Sequence, residues 1–525
     1  MTAINISKFF GAALGVTPRH IPNGYAQSLL DVDVSLGTLA PAKGLGYTEE
    51  EAGLGSPKTI HKYASGHWFA WSQEVNVVRS PLTDDAWKRV YWTGQGEPKM
   101  GAIDMVTGGG SPYPSTWYSL GVPAPDGIIG VTGPTGEEPS TAVTTVYACA
   151  FVTGYDEVGP LSDPSQAVTR WDDGGDVTLA IPSVSATGRN ITKVRIFRSE
   201  AGGDYNYVAD VAAGTATFVD SVQSDELLSP AESIDWDVPP ENLQGLIAGP
   251  GNALYGFFEN VLCASESGYP HAWPVDYRLS FQNDIVAIAE SAAGIVVATT
   301  GMPWLVTGAS PAALAPIKLE TLEPCVSKRS MVDMGDYVIY ASPNGLVAVG
   351  ASGASLITKG VLSREAWQTF NPDTIHAYRD RERYLAFYDG GCFAFSADLG
   401  FEQFSESADA AFYSGMDDVL YVQQSGDSTY LNSWNAGDTK TLTWRSGIYE
   451  VQPGTSFTCG KVVAEGYPLY LTVYADGQEA FNVTVGSSQM FRLPSNIFAR
   501  EYEVMVASGY EIFSIQLAQS PSELV

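Results

Sequence analysis

Short runs rich in Val, Ile, Tyr, Phe and Thr are cut along the chain by Gly, Pro, Asn and Asp, while long apolar stretches at the 3.6-residue helical period are nearly absent. The pattern predicts an all-β protein. Its clearest elements are four hairpin-like units, Leu246–Phe257, Ile295–Val306, Val338–Val349 and Tyr384–Phe395. Their turn glycines, Gly251, Gly301, Gly345 and Gly390, fall 50, 44 and 45 residues apart. A period of about 40 to 50 residues is that of a four-stranded β-propeller blade. Val419–Trp434 extends the series and His61–Trp71 precedes it, which predicts about six blades. Radial repetition leaves only short, protected sheet edges, so many hairpins can coexist in one chain without aggregating. Irregular antiparallel sandwiches are the alternative reading.

Two regions depart from the period. From Pro125 to about Asp235, alternating strands with turn signals every 8 to 12 residues or so predict an immunoglobulin-like or fibronectin type III sandwich, inserted after the first blade. From Thr443 onward, a hairpin around Asp476 and Gly477 and the later strands predict a small C-terminal β-sandwich. The expected domains are residues 1–124 (N-terminal segment and first blade), 125–238 (inserted sandwich), 239–442 (remaining blades) and 443–525 (C-terminal sandwich). Helix is scarce, and Ser363 to Thr369 is its best short candidate because Ser363 can cap it.

Charge narrows the functional classes. Asp and Glu total 59 against 28 Lys and Arg, a net charge of -31, which argues against a surface that neutralises nucleic-acid phosphates. An acidic wall still suits a conduit, since favourable contacts with passing DNA would retard its transit. Five scattered cysteines, with no CxxC pair, point to neither a disulfide framework nor a zinc site, and the expected compartment of synthesis is a reducing cytoplasm. The N-terminus reads as no export signal, and no run of about 18 apolar residues predicts a transmembrane helix.

Candidate chemistry is sparse. His20, His61, His67, His271 and His376 never take a metal-binding spacing, although His61 and His67 flank one predicted turn. Asp172, Asp173, Gly174, Gly175 and Asp176 invite a calcium reading but lack the ligand series of an EF-hand; a polar turn is the simpler account. Carboxylates are abundant enough for pairs to face each other by chance; a glycosidase could use Glu266 and Asp276, yet Tyr269, Pro270, Trp273, Pro274 and Tyr277 around them read as a rigid aromatic loop for packing or docking. At the two-residue strand period, Arg379, Arg381 and Arg383 share one strand face, as do Lys193 and Arg195. Such rows serve either cross-strand ion pairs or docking against an acidic neighbour. With no phosphate loop or nucleophile elbow, the expectation is a protein without enzymatic activity, cofactor or metal.

A series of strings carries a resemblance. They are Gly15–Lys43 with Tyr25, Ala26, Gly37, Leu39 and Pro41, then Tyr155–Ser165, Ile191–Ser199, Asp235–Leu246, Gly256–Tyr277, Cys325–Val347, Tyr467–Gly477 and Phe491–Ser495. Each is weak alone; their order resembles that of the propeller-containing tail nozzle (tail tubular) proteins of short-tailed, podovirus-type bacteriophages. The resemblance implies a structural virion protein assembled in the host cytoplasm. It implies a homo-oligomeric ring, a hexamer, beneath the portal–adaptor ring and in contact with tail fibres or spikes. Such a ring extends the DNA channel, retains packaged double-stranded DNA and lets it pass during ejection without specific binding. On this reading Tyr269, Trp273, Tyr277, Arg379, Arg381 and Arg383 lie at packing or subunit interfaces. The alternative function is a glycan-binding or glycan-cleaving β-propeller tail protein.

Overall fold

The computed structural model describes residues 3–50, 55–135, 141–171, 175–424, 426 and 430–524. They fall into two compact units, Met1–Ser72 with Val286–Leu305 and Lys318–Val525, and Gln73–Ile285 with Val306–Ile317. The fold is all-β. Among the described residues the α-helices are single turns, Ile103–Val106 and Arg364–Gln368. The second is the helix expected from the sequence, and the Ser363 hydroxyl accepts a hydrogen bond from the Ala366 amide at 3.1 Å as its cap. No helix among the described residues is long and apolar enough to cross a membrane.

The first unit holds three four-stranded antiparallel sheets of propeller-blade type. In the 332–356 blade (Val332–Asp333, Tyr337–Ser342, Gly345–Gly350, Gly353–Leu356) and the 376–404 blade (His376–Asp380, Arg383–Tyr388, Gly391–Ser396, Gly400–Phe404), each strand pairs with its sequence neighbour. Central strands such as Arg383–Tyr388 are buried over five of six positions, because both faces of the sheet are covered; they therefore read as apolar runs rather than alternations. The third blade, Ala408–Ser414, Val419–Gln424 and Tyr430–Ser433, takes its fourth strand from the N-terminal segment Gly46–Glu50. The expected blade at His61–Trp71 is a two-stranded hairpin, Thr59–Ala64 with His67–Trp71.

The N-terminal segment also corrects the expected domain plan. Ala3–Ile6 pairs with Ile512–Ala518, and Ala26–Leu30 pairs with Leu442–Ser446, so the C-terminal sandwich is completed by strands from the other end of the chain. Ile4, Ile6 and Phe9 are fully buried in the same apolar cluster as Leu471, Val504, Val506 and Ile515. That cluster continues through Trp367, Tyr384, Phe393 and Phe401 of the blade region.

The second unit holds the 76–119 blade and the 244–280 blade, with the sandwich inserted between them as expected. One sandwich sheet has three strands, Gly130–Thr132, Val177–Ala180 and Thr217–Asp220; the other has four, Val168–Arg170, Val143–Thr153, Ile191–Glu200 and Asn206–Ala212. Val177 and Leu179 face the core while Thr178 and Ala180 are exposed, the alternation of a sheet with one wet face. Ile285–Ser291, Gly294–Thr299, Trp304–Thr307 and Ala315–Lys318 form a further four-stranded sheet.

The glycine spacing needs one correction. Gly301, Gly345 and Gly390 lie at the turn between the second and third strands of their sheets, whereas Gly251 lies between the first and second strands of its blade. The equivalent turn there is Glu259 and Asn260, with Glu259 in the left-handed region at φ 47°. The first interval of 50 residues thus compares two different turns.

Candidate functional site

The arginine row does not form. Asp380 pairs with Arg383 across a hairpin, which leaves Arg381 and Glu382 in the turn, and Arg381 has a φ of 56°. A bulky residue in that region is strained, so the even-numbered spacing of a continuous strand is broken at its middle member. Arg383 is buried and committed: it donates to Glu402 Oε2 at 3.0 Å and Asp380 Oδ2 at 2.6 Å, with Asp33 Oδ2 at 3.7 Å. Burial opposes the charge of Arg383, but Glu402, Asp380 and Asp33 outweigh it and its pKa rises. Arg379 and Arg381 are exposed and make no ion pair among the described residues; the Arg379 Nε donates to the Arg381 carbonyl at 2.8 Å. Both line a cleft of about 1240 Å³ with Tyr337, Ile339, Phe395 and Leu399.

The aromatic loop is the long connection between Val261–Ala264 and Leu279–Ser280 of the 244–280 blade. Its members divide by burial. Trp273 is 1% exposed, packs among Tyr91, Leu243 and Leu254, and donates from Nε1 to the Pro270 carbonyl at 3.0 Å. Tyr277 donates to Glu266 Oε2 at 2.7 Å, and burial together with that bond pushes its pKa up to about 12. The other oxygen, Oε1, accepts from the Ser267 amide at 2.8 Å, so Glu266 ties the loop to itself; Asp276 is exposed. The carboxylate is engaged as a brace rather than facing an open cleft. Tyr269 is 39% exposed, and its ring lies 4.7 Å from that of Trp236 and 5.9 Å from His271.

Tyr269 and Trp236 open onto a cavity of about 530 Å³ shared with the inserted sandwich, whose Arg195, Phe197 and Tyr207 line it. Beneath lies a buried polar group that sequence reading missed. His271 meets the Val158 carbonyl through Nε2 at 3.0 Å, and its Nδ1 is 4.0 Å from Glu157. Glu157 accepts from Arg89 at 2.7 Å, and Arg89 also binds Asp85 at 2.9 Å. Burial holds His271 down to about 4, and raises Glu157 against the pull of Arg89. A second such cluster sits in the sandwich core, where Asp220 Oδ2 receives Arg198 at 2.6 Å, Arg170 at 3.0 Å and the Tyr147 hydroxyl at 2.7 Å. The partners of Asp220 lie 22 to 73 residues away, so no local spacing betrays them.

The remaining candidates resolve individually. Lys193 pairs with Asp156 at 3.1 Å, and Arg195 holds its cross-strand partner Asp210 through two bonds of 2.7 and 3.0 Å. His61 packs against Phe412 at 4.7 Å and lies opposite Phe69, while His67 lies opposite Ala64. Asp172, Asp173 and Gly174 lie outside the described residues, and Gly175 bridges Trp171. Among the described residues no group of three or more His, Cys, Asp or Glu is placed to hold a metal ion.

No family model matches the chain, and no curated protein matches it. Among solved structures it is similar to BBS1N in complex with ARL6DN, at 10% identity over 75% of this chain and 97% of that one, with a TM-score of 0.30. A putative gluconolactonase is similar at 11% identity over 46% and 84% of the two chains, with a TM-score of 0.26. Hsv2 of Kluyvelomyces marxianus is similar at 11% over 56% and 90%, with a TM-score of 0.24. At these scores the likenesses carry no argument about the site.

Proposed function

We propose that the chain is a structural subunit of a viral tail, a nozzle protein of the short-tailed phage kind that its ordered sequence strings resemble. Copies join in a closed hexameric ring that extends the portal–adaptor channel, holds back packaged DNA and releases it at ejection. The observation that supports assembly is the 1240 Å³ cleft. In a chain of net charge -31, two exposed arginines without ion-pair partners among the described residues stand at its wall, one of them in a strained turn. Closed rings need heterologous contacts, a patch on one copy meeting a different patch on the next, and a cleft that sets Arg379 and Arg381 beside Asp336, Glu382 and Asp398 offers one of mixed charge. Arg379, Arg381 and Tyr337 are the docking residues in this reading. Trp273 and Tyr277 act through the packing of their own loop.

Negative-stain imaging and mass photometry of the purified chain test it. Rings are expected from the native sequence, and monomers with unchanged thermal unfolding from the Arg379→Glu, Arg381→Glu variant. A native chain that stays monomeric at about 50 µM, a concentration sufficient for even a weak specific interface, sinks the ring assignment. So does a variant that assembles as well as the native chain.

A further inference from the structure

The cavity at the root of the inserted sandwich has the attributes of a ligand site, independently of any ring. Its volume of about 530 Å³ lies within the range of roughly 300 to 1,000 Å³ typical of small-molecule sites. Trp236 and Tyr269 form a wedge, with ring planes inclined by 44° at a centroid distance of 4.7 Å. The wedge is fixed from behind by His271, whose ring meets Trp236 edge-on at 5.5 Å. On the sandwich side stand Phe197 and Tyr207, with the Arg195 guanidinium 5.4 Å over the Tyr207 ring. Ser233 lines the same cavity, but it is 2% exposed and its Oγ is closed to the opening. Glu232 lines it and is exposed, with Oε2 accepting from the Tyr269 hydroxyl at 3.4 Å.

We propose that this cavity binds a neutral saccharide of one or two rings. Charge selects the class. With Asp156 paired to Lys193 and Arg195 to Asp210, Glu232 opposes an anionic ligand, while Arg195 already occupies the Tyr207 face that a cation would take. A neutral polyhydroxyl molecule meets neither penalty. Sugars pair apolar C–H faces with rings of hydroxyls, and the cavity answers both. The Trp236–Tyr269 wedge takes the C–H face, the Glu232 and Asp156 carboxylates accept hydroxyl protons, and Arg195, whose Nε and Nη2 are held by Asp210, presents Nη1 as a donor. The role is binding; Glu232 and Asp156 are ligand contacts.

The test titrates the full chain with maltose, lactose and N,N′-diacetylchitobiose to about 50 mM, read by saturation-transfer NMR and tryptophan fluorescence, with choline as the cationic control. At least one disaccharide is expected to bind saturably with a millimolar Kd. Binding should weaken about tenfold or more in Trp236→Ala and severalfold in Glu232→Ala, the latter unfolding like the native chain. Should Trp236→Ala fail to fold, Tyr269→Ala replaces it as the aromatic variant. Absence of saturable binding for all three sugars overturns the proposal. Undiminished binding in both Glu232→Ala and the aromatic variant, or choline binding tighter than any sugar, does the same.

Discussion

Asp220 shows what a single carboxylate does in a dry core. It is fully buried with Arg170 and Arg198, both almost without exposure, on the same oxygen. Asp220→Asn leaves the buried Arg170 without its counter-charge and Arg198 with Glu200 alone, at 3.0 Å, a change that costs about 3 to 5 kcal/mol. Chemical denaturation of the variant is expected to show that loss, and a loss below about 1 kcal/mol would mean that water reaches the cluster. His271 sets a pH dependence of definite sign. An unfolded histidine titrates near 6.5, whereas the buried one holds out to about 4. Between those values the unfolded chain binds a proton that the folded chain refuses, so stability is fully present above about pH 6.5 and is lost as pH falls through about 4. The shift corresponds to about 3 kcal/mol. Burial is its main cause and Arg89 reinforces it; Glu157, raised by its own burial, takes up a proton on folding and offsets part of the loss. Urea midpoints between pH 7 and 4 should fall steeply in the native chain and less in His271→Gln.

Strands that close sheets from a distance matter most among the elements. Ile6 is fully buried and lies opposite Ile515 at the edge of the C-terminal sandwich. Ile6→Asp places an unpaired charge in that core and is expected to lower stability by about 3 kcal/mol or more, read as an earlier unfolding transition. A transition unmoved by the change would mean that the Ala3–Ile6 strand contributes nothing to the sandwich. This pairing was illegible in the sequence, because periodicity reports which face a strand buries and not which strand lies beside it. Local elements were legible: the Ser363 cap, the hairpins and the 44- and 45-residue intervals each depend on neighbouring residues. Gly251 and Arg381 misled for one reason. A turn glycine does not say which turn it occupies, and an arginine at an even spacing counts as facial only while the strand continues through it. The aromatic pocket was half visible, since Tyr269 stood out within its motif while Trp236, Ser233 and Arg195 come together only through folding.

For the molecule as a whole, charge separates conduit from binder. A chain of net charge -31 has no means of releasing counterions from many phosphates, so duplex DNA is not expected to be retarded by it at about 50 mM salt in a mobility-shift assay. Retardation that falls steeply with added salt would contradict a passive acidic wall. The strand Gly46–Glu50 has a consequence in time rather than space. Its partner, Tyr430–Ser433, leaves the ribosome about 380 residues later, and the partner of Ala3–Ile6 later still. At roughly 5 to 20 residues per second, Gly46–Glu50 remains unpaired for some 20 to 75 seconds and Ala3–Ile6 for longer. The inserted sandwich, contiguous in sequence, can fold during that wait. The newborn chain thus carries open edges until Tyr430–Ser433 and Ile512–Ala518 emerge, which makes these early strands, rather than the inserted sandwich, the segments that a holding chaperone has most reason to cover.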